Sequence, residues 1–114
     1  MNKLLSTSVL ALAVTFSSGA FAAFQGPGPA PVTVAEALQM KDDTAVVLNG
    51  QIEKSLGHEK YLFKDATGSV TVEIDDEDWR GLDVKPQDMV TIKGEVDKEA
   101  FSTEIDADYI ELKK

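Results

Sequence analysis

The dominant pattern along this chain is an alternation of apolar and polar residues that begins at Ala45 and continues almost to the C-terminus. A period of two is typical of strands with one buried face, and turn residues divide it into five strands. The inward positions expected in the first four are Val46, Leu48, Gly50 and Ile52; Tyr61 and Phe63; Val70, Val72 and Ile74; and Val90, Ile92, Gly94 and Val96. The pattern therefore predicts a mainly β domain.

The turns place the strand ends. The predicted boundaries are a first strand from Ala45 to a turn at Ser55–His58, strands over Lys60–Lys64 and Ser69–Asp75, a turn at Val84–Asp88, a strand over Met89–Val96, a loop over Asp97–Ser102 and a last strand over Thr103–Leu112. In the turn at Asp65–Gly68, Gly68 is expected to supply a positive φ and Asp65 to accept a bond from nearby backbone. A slip in the alternation predicts a β-bulge near Asp108–Tyr109.

Two segments read as helical instead. Thr33 and Glu36 have the spacing of a capping box, which predicts a helix over Thr33–Met40. Its apolar stripe would consist of Val34, Ala35, Ala37 and Leu38. A helix this short is unstable alone and must dock on the strands. The alternation also breaks over Asp75–Leu82, which suits a helical turn capped by Asp75 or Asp76.

Five short strands cannot bury both faces of a flat sheet, whereas closure into a barrel removes the open edges. Gly50 and Gly94 fall at inward, mid-strand positions, where a small barrel has to bend sharply. The prediction is a five-stranded OB-fold barrel with a short N-terminal helix and a helical turn between strands 3 and 4.

The N-terminus predicts export. Asn2-Lys3 is a basic start, Leu4–Phe16 is mainly apolar, and Ala20-Phe21-Ala22 is a small-residue cleavage site, so residues 1–22 are expected to form a signal peptide cut after Ala22. The alternative is a membrane anchor, although the apolar run is short for one. Residues 23–32 form a Gly- and Pro-rich leader, either a flexible connection or a docking segment, and residues 33–114 the OB-fold domain.

Charge and composition limit the classes of molecule that the chain can bind. Without residues 1–22 the chain loses Lys3 and keeps 10 basic and 20 acidic residues, a net charge of −10. Such a chain is repelled by nucleic-acid phosphates and anionic lipids, which favours neutral glycans, cations or basic protein surfaces as partners. With no cysteine, thiol redox chemistry, thiolate metal sites and cysteine catalysis are excluded.

The chain resembles the bacterial OB-fold (BOF) family of small periplasmic proteins, of the YgiW/YdeI type. The resemblance rests on Tyr61–Ile74, Trp79–Gly81, Val90–Asp97 and Glu104–Ala107. It implies an OB fold, export to the periplasm and a role in tolerance of envelope or oxidative stress. The family has no agreed catalytic residues, so none is carried over.

The OB ligand face is the outer surface of strands 2 and 3 with the loops after strands 1 and 4. The candidate ligand-binding residues there are Ser55, His58, Lys60, Leu62, Lys64, Thr71, Glu73, Trp79 and Phe101, with Lys98 beside them. Nucleic-acid OB folds carry several aromatic and cationic residues there, whereas the predicted strand face has no Trp or Tyr and its surroundings are negatively charged. An oligosaccharide, such as a peptidoglycan fragment, is the other ligand class that this face binds in OB folds. If the second strand had the opposite orientation, Tyr61 and Phe63 would face outward, and these aromatic side chains would favour glycan binding.

Trp79 and His58 are candidate ligand-binding residues, but each also has a purely structural explanation. Trp79 either stacks on a sugar or packs as a lid over the barrel end, with its indole N–H bonded to a carbonyl. His58 is either an exposed loop residue or a ligand or pH-sensitive contact. A lone histidine without a nucleophile does not form a catalytic triad.

The acidic run Asp75, Asp76, Glu77 and Asp78 either binds a cation such as calcium or complements the dipole at a helix start. The preferred hypothesis is a non-enzymatic periplasmic protein without a cofactor that binds an envelope glycan or a periplasmic or membrane protein. It excludes nucleic acid and membrane insertion of the mature chain, and leaves the oligomeric state open. The alternative is an acidic cation-binding domain. A two-carboxylate glycosidase would need a deep cleft, which a filled barrel does not offer.

Overall fold

The computed structural model describes residues 29–113, so the predicted signal peptide and most of the predicted leader lie outside the described residues. The elements in chain order are β1 (Pro31–Val32), α1 (Val34–Ala37), β2 (Ala45–Gly57), β3 (Lys60–Asp65), β4 (Gly68–Ile74), a 3-10 turn (Asp76–Trp79), β5 (Val90–Lys98) and β6 (Thr103–Leu112). Within residues 29–113, no helix is long and apolar enough to cross a membrane.

The strands form one sheet closed into a barrel. Their order is β1-β2-β3-β4-β6-β5, and β5 returns to pair with β2. The β1–β2 and β4–β6 pairs are parallel, and the others are antiparallel. Apart from the short β1, this is the five-stranded OB topology, so the predicted fold is confirmed.

The core consists of inward-facing apolar side chains of β2 to β6, which the alternation predicted for the first four of these strands, together with Val34 of α1. Its largest fully buried members are Phe63, Leu48, Ile74, Ile92, Ile105, Ile110, Val34, Val46, Val72, Val90 and Val96. Tyr61 is half-buried and packs against this core, so the predicted parity of β3 is confirmed and Leu62 faces outward. A filled core leaves the outer surface and the loops as the places where a ligand can bind.

Two glycines allow the strands to approach closely enough for the barrel to close. β2 is 13 residues long and changes partner at Gly50, pairing with β5 before it and with β3 after it. A Cβ on Gly50 would overlap the carbonyl oxygen of Lys64 and lie 2.7 Å from Phe63 Cζ. A Cβ on Gly94 would overlap the carbonyl oxygen of Asp106. Both positions therefore exclude any side chain, as predicted for barrel bends.

The N-terminal segment docks on the barrel more closely than predicted. Pro31 and Val32, assigned to the leader, pair as β1 with Val47 and Leu48. The capping box is confirmed: the Thr33 N–H donates to Glu36 Oε1 over 2.8 Å and the Glu36 N–H to Thr33 Oγ1 over 3.1 Å.

The α1 helix is shorter than the predicted Thr33–Met40 segment, since it ends at Ala37. Val34 and Ala37 are buried, whereas Ala35 is exposed and does not belong to the apolar stripe. The Asp65 carboxylate accepts a bond from the Val34 N–H over 2.9 Å. This bond ties the start of α1 to the β3–β4 hairpin.

The hairpin turns differ from the prediction in two places. The predicted turn at Ser55–His58 lies mostly within β2, which continues to Gly57. The chain reverses at His58 and Glu59, which both have positive φ (56° and 64°), as in a type I′ turn. The prediction of a positive φ at Gly68 is wrong, because Gly68 is paired in β4 with Asp65.

The bond predicted within the second hairpin is confirmed, since Asp65 Oδ1 accepts from the Thr67 N–H over 2.8 Å. The predicted bulge is also confirmed: Tyr109 pairs with Lys93 and Ala107 with Gly94, which leaves Asp108 unpaired. The predicted loop over Asp97–Ser102 is shorter than expected, since β5 continues to Lys98.

The helical turn after β4 is confirmed, but its predicted cap is wrong. Asp75 is the N-cap residue, yet its side chain makes no capping bond. Instead, Glu59 Oε2 accepts a bond from the Asp76 N–H over 2.7 Å. The β2–β3 turn therefore holds the start of the 3-10 turn.

We expect Gly94→Ala to destabilise the protein by more than about 3 kcal/mol, because the new methyl group can be accommodated only if the β5 or β6 backbone moves. The free energy of unfolding, measured by urea denaturation, tests this.

Gly68→Ala is the matched control. Its Cβ would meet Val34 Cγ1 at 3.8 Å, an ordinary contact, and its φ suits alanine, so we expect a change below about 1 kcal/mol. Equal destabilisation by the two variants would contradict the assignment of Gly94 as a point of close backbone approach.

Candidate functional site

The outer surface of β3 and β4 brings four predicted site residues together. Lys60 pairs with Glu73 across the two strands, and Leu62 pairs with Thr71. All four are half-buried and face away from the core. Lys64 lies on the same face but at its far end, where it pairs with Ser69 and Gln51.

The other predicted residues lie around this face. Ser55 pairs with Tyr61 and therefore shares the face of Tyr61 rather than that of Leu62. His58 is exposed in the two-residue turn. Phe101 is fully exposed (101%) in the β5–β6 loop, where the Glu99 N–H donates to the Ser102 carbonyl oxygen and closes a turn. The structure therefore separates Ser55 from the sheet face and leaves His58 and Phe101 in the flanking loops.

Trp79 packs as a lid against the core. Its ring meets Tyr61 edge-on, with centroids 5.3 Å apart and planes at 69°. The predicted bond from its indole N–H to a carbonyl is wrong, because Nε1 is buried and has no hydrogen-bond partner. The geometry places Trp79 at the barrel end rather than on the β3–β4 face.

Sequence reasoning missed the carboxylates that β6 and β5 add beside β4. On β6, Glu104 lies opposite Thr71 of β4, and Asp106 lies opposite Glu73. On β5, Asp97 lies opposite Glu104, and Glu95 lies opposite Asp106. We call the resulting surface the acidic face; it consists of Glu73, Glu95, Asp97, Glu104 and Asp106. The alternation of β5 and β6 places these side chains outside, but their adjacency depends on the parallel β4–β6 pairing. No local signal predicts that pairing.

Charge on the acidic face is only partly compensated. Lys60 Nζ lies 3.0 Å from Glu104 Oε2, and this bond raises the pKa of Lys60. Partial burial and then the Asp106 carboxylate raise the pKa of Glu73. Partial burial and then nearby carboxylates also raise the pKa values of Asp106 and Glu95. The ionised carboxylates of this face repel phosphate groups.

Three carboxylates converge near the start of the 3-10 turn. Glu59, Glu73 and Asp75 each offer an oxygen atom within 4.8 Å of the others, and among residues 29–113 they are the one group of three acidic, histidine or cysteine side chains that does so. We call them the carboxylate cluster. The predicted cation ligands Asp76, Glu77 and Asp78 do not join it, because they follow Asp75 into the turn. Of the acidic run, the structure thus retains only Asp75 as a candidate ligand.

A second feature missed by sequence reasoning surrounds Tyr109. Arg80 Cζ lies 4.6 Å and Lys93 Nζ 5.0 Å from the centre of its ring, within the range of cation–π attraction. Arg80 Nη2 also donates to the Ile110 carbonyl oxygen over 2.7 Å. These contacts hold the 3-10 turn against the bulged part of β6. The two cations thus have a structural role in positioning this part of the barrel.

The comparisons with known proteins agree with this geometry. A family model described as "Bacterial OB fold (BOF) protein" matches residues 14–112. The chain is 43% identical over 103 residues to the calcium-regulated OB-fold protein CarO of Pseudomonas aeruginosa, covering 89% of this chain and 85% of that protein. It is 46% identical over 78 residues to protein YgiW of Escherichia coli K12, covering 68% of this chain and 60% of that protein.

The solved structure of E. coli YgiW superposes with a TM-score of 0.74 at 43% identity. The superposition covers 79% of this chain and 97% of that one. The likeness therefore extends over nearly the whole solved domain.

We expect stability to rise as the pH falls from neutral towards about 4.5. The raised pKa values of Glu73, Glu95 and Asp106 mean that the folded protein binds more protons than the unfolded chain in this window, and protonation relieves their repulsion. Partial burial opposes ionisation of Asp65, but hydrogen bonds from Thr67 and Val34 outweigh it and lower the pKa of Asp65. The contribution of the ionised Asp65 to stability is therefore lost only as the pH falls below 3.8. Urea denaturation at a series of pH values checks this.

Asp106→Asn should raise the free energy of unfolding at pH 7 by about 0.5–1 kcal/mol, since Asp106 faces Glu73 and Glu95 on both neighbouring strands. The gain should shrink at pH 5 and at high salt. Glu53→Gln, on an exposed residue outside the acidic face, is the control and should have a smaller effect. Stabilisation of the same size by both variants would argue against a repulsive face.

Proposed function

The chain belongs to the bacterial OB fold (BOF) family, and we propose that it is a non-enzymatic periplasmic binding protein that supports tolerance of envelope or oxidative stress. Its ligand in this proposal is an envelope glycan, such as a peptidoglycan fragment, bound on the outer surface of β3 and β4. An envelope protein is the other partner class.

The observation that carries this proposal is the composition of the surface around Leu62. Leu62 and Thr71, both half-buried, lie side by side next to the carboxylates of Glu73 and Glu104. Ionised carboxylates act only as hydrogen-bond acceptors, and sugar hydroxyls are donors that match them. The same carboxylates repel phosphates, so this surface favours a hydroxyl-rich ligand over a nucleic acid.

A binding role suits the arrangement better than catalysis. A glycosidase needs one carboxylic acid in an apolar pocket facing a second carboxylate across a cleft. Here the carboxylates with raised pKa values, among them Glu73 and Asp106, lie on the outside of a sheet whose interior is filled. The proposal therefore assigns no reaction to them.

Retention on purified peptidoglycan sacculi tests the glycan ligand. We expect the wild-type chain to sediment with sacculi in buffer containing EDTA, and Glu73→Gln to weaken retention by about tenfold, because charge-assisted hydrogen bonds to hydroxyls are lost. Glu53→Gln is the matched control and should be retained like the wild type. Loss of retention cannot be ascribed to unfolding, since removing the Glu73 charge relieves repulsion.

Crosslinking in intact cells separates the two partner classes. A chain that stays in the supernatant but is trapped on an envelope protein would support the protein partner and exclude the glycan. If neither sacculi nor crosslinking captures the chain, the proposed binding function is wrong.

A second candidate function, cation binding, is favoured by the carboxylate cluster. Calcium takes six to eight oxygen ligands, and Glu59, Glu73 and Asp75 could supply part of such a shell, with water completing it. The relative CarO is described as calcium-regulated, which gives calcium priority over other ions. In this proposal the ligands are the three converging residues and not the run Asp75–Asp78.

Titration calorimetry with calcium tests this second candidate. A site of this kind should bind with a dissociation constant of about 0.1–1 mM, in the range of extracellular modules. The double variant Glu59→Gln/Asp75→Asn should abolish the heat, whereas Glu77→Gln, within the acidic run but outside the cluster, should retain it. Equal heats from both variants would rule out the cluster as the site.

A further inference from the structure

A groove of about 380 Å³ lies at the end of the barrel surface opposite the carboxylate cluster. It is lined by Gly50, Gln51, Lys64, Asp65, Ala66 and Met89. We call it the Lys64 groove. Its volume is at the lower end of the range for small-molecule sites, about 300–1,000 Å³, so it suits a ligand the size of a single sugar.

The groove lies beside the bend in β2. At Gly50 the β2 backbone comes so close to β3 that a Cβ would overlap the Lys64 carbonyl oxygen, and Gly50 and Lys64 therefore line the same groove. The Gln51 side-chain amide donates to the Gln87 carbonyl oxygen over 3.3 Å and ties one wall to the loop before β5. Met89 from that loop is 42% exposed and forms an apolar wall of the groove.

Lys64 gives the groove an uncompensated positive charge. Within residues 29–113 its ammonium makes no hydrogen bond or ion pair, although the residue is half-buried. Asp65 also lines the groove, but its carboxylate already accepts bonds from the Val34 N–H and from the Thr67 N–H and hydroxyl group. The Asp65 charge is therefore directed towards α1 and the hairpin, and Lys64 remains available for an anionic ligand.

The two ends of the β3–β4 surface thus differ in the sign of their charge. At one end Lys60 is bonded to Glu104, and a ligand carboxylate would meet Glu73 and Asp106. At the other end it would meet the Lys64 ammonium. Because like charges repel and opposite charges attract, a glycan that carries carboxylates would place those carboxylates at the Lys64 end.

We propose that the Lys64 groove binds a carboxylate-bearing sugar unit of the envelope glycan, with the carboxylate on Lys64 and the methyl groups of the sugar against Met89 and Ala66. This inference rests on the proposed glycan-binding function and specifies the chemistry and place of one contact. N-acetylmuramic acid without a stem peptide has the required groups, since its lactyl substituent then carries a free carboxylate and a methyl group; where the peptide is attached, this carboxyl group is an uncharged amide. N-acetylglucosamine has the same ring and acetyl group but no carboxylate.

NMR titration of the ¹⁵N-labelled protein, expressed from the full-length sequence, tests the inference with these two sugars. We expect N-acetylmuramic acid to shift the backbone amides of Gly50, Gln51, Lys64 and Met89, and to bind about fivefold more tightly than N-acetylglucosamine, the factor that one partly exposed ion pair supplies. Lys64→Gln should remove this difference between the sugars, and 0.5 M salt should reduce it.

Lys41→Gln is the matched control. It removes the same charge from an exposed residue outside the groove, and the fivefold preference should persist. Equal affinities for the two sugars, a preference that survives Lys64→Gln, or shifts confined to β4 and β6 would each overturn the inference.

The sacculus assay distinguishes failure of this inference from failure of the proposed function. Retention on sacculi with no preference for N-acetylmuramic acid would reject the Lys64 groove and leave glycan binding standing. No retention, but carboxylate-dependent shifts at Lys64, would support the groove as a site for small sugar acids and reject binding to the polymer. No retention and no shifts would reject both.

Discussion

The structure depends on the close approach of backbones at Gly50 and Gly94. At Gly50, β2 leaves its pairing with β5 and begins its pairing with β3, and at Gly94 the β5 backbone meets β6. Neither contact leaves space for a Cβ atom. These approaches allow five short strands to close on themselves, so that apolar residues from every strand share one interior and no side chain is needed to cover a sheet edge.

Barrel closure also decides the electrostatics of the outer surface. It inserts β6 between β4 and β5, and residues far apart in the chain become cross-strand neighbours, as Glu73, Asp106 and Glu95 do. Like charges directly opposite each other oppose folding. The barrel carries this cost on a face where it also creates an acceptor-rich surface, while Lys64, beside the bend at Gly50, forms no ion pair within residues 29–113. Strand pairing thus decides both the repulsion on the acidic face and where the surface changes the sign of its charge.

Much of the fold could be predicted because strand period and capping are local properties. The inward positions of Val70, Val72 and Ile74, the box at Thr33 and Glu36, and the bulge at Asp108 all follow from the identity and spacing of nearby residues. Some wrong predictions are local, such as the positive φ at Gly68, but those at the candidate site concern partners. The 3-10 turn is capped by Glu59 from a different hairpin, and the Trp79 N–H does not reach the carbonyl expected for it.

The amino-acid sequence by itself determined the mainly β class, the closed barrel, the side of each strand that faces the core and the family resemblance. These follow from a two-residue period and from glycines at positions that must bend. Only the tertiary structure decided which carboxylates meet, because the parallel β4–β6 pairing joins segments about 30 residues apart and no local pattern encodes its register. For the same reason, the carboxylate cluster and the Lys64 groove became visible only in three dimensions.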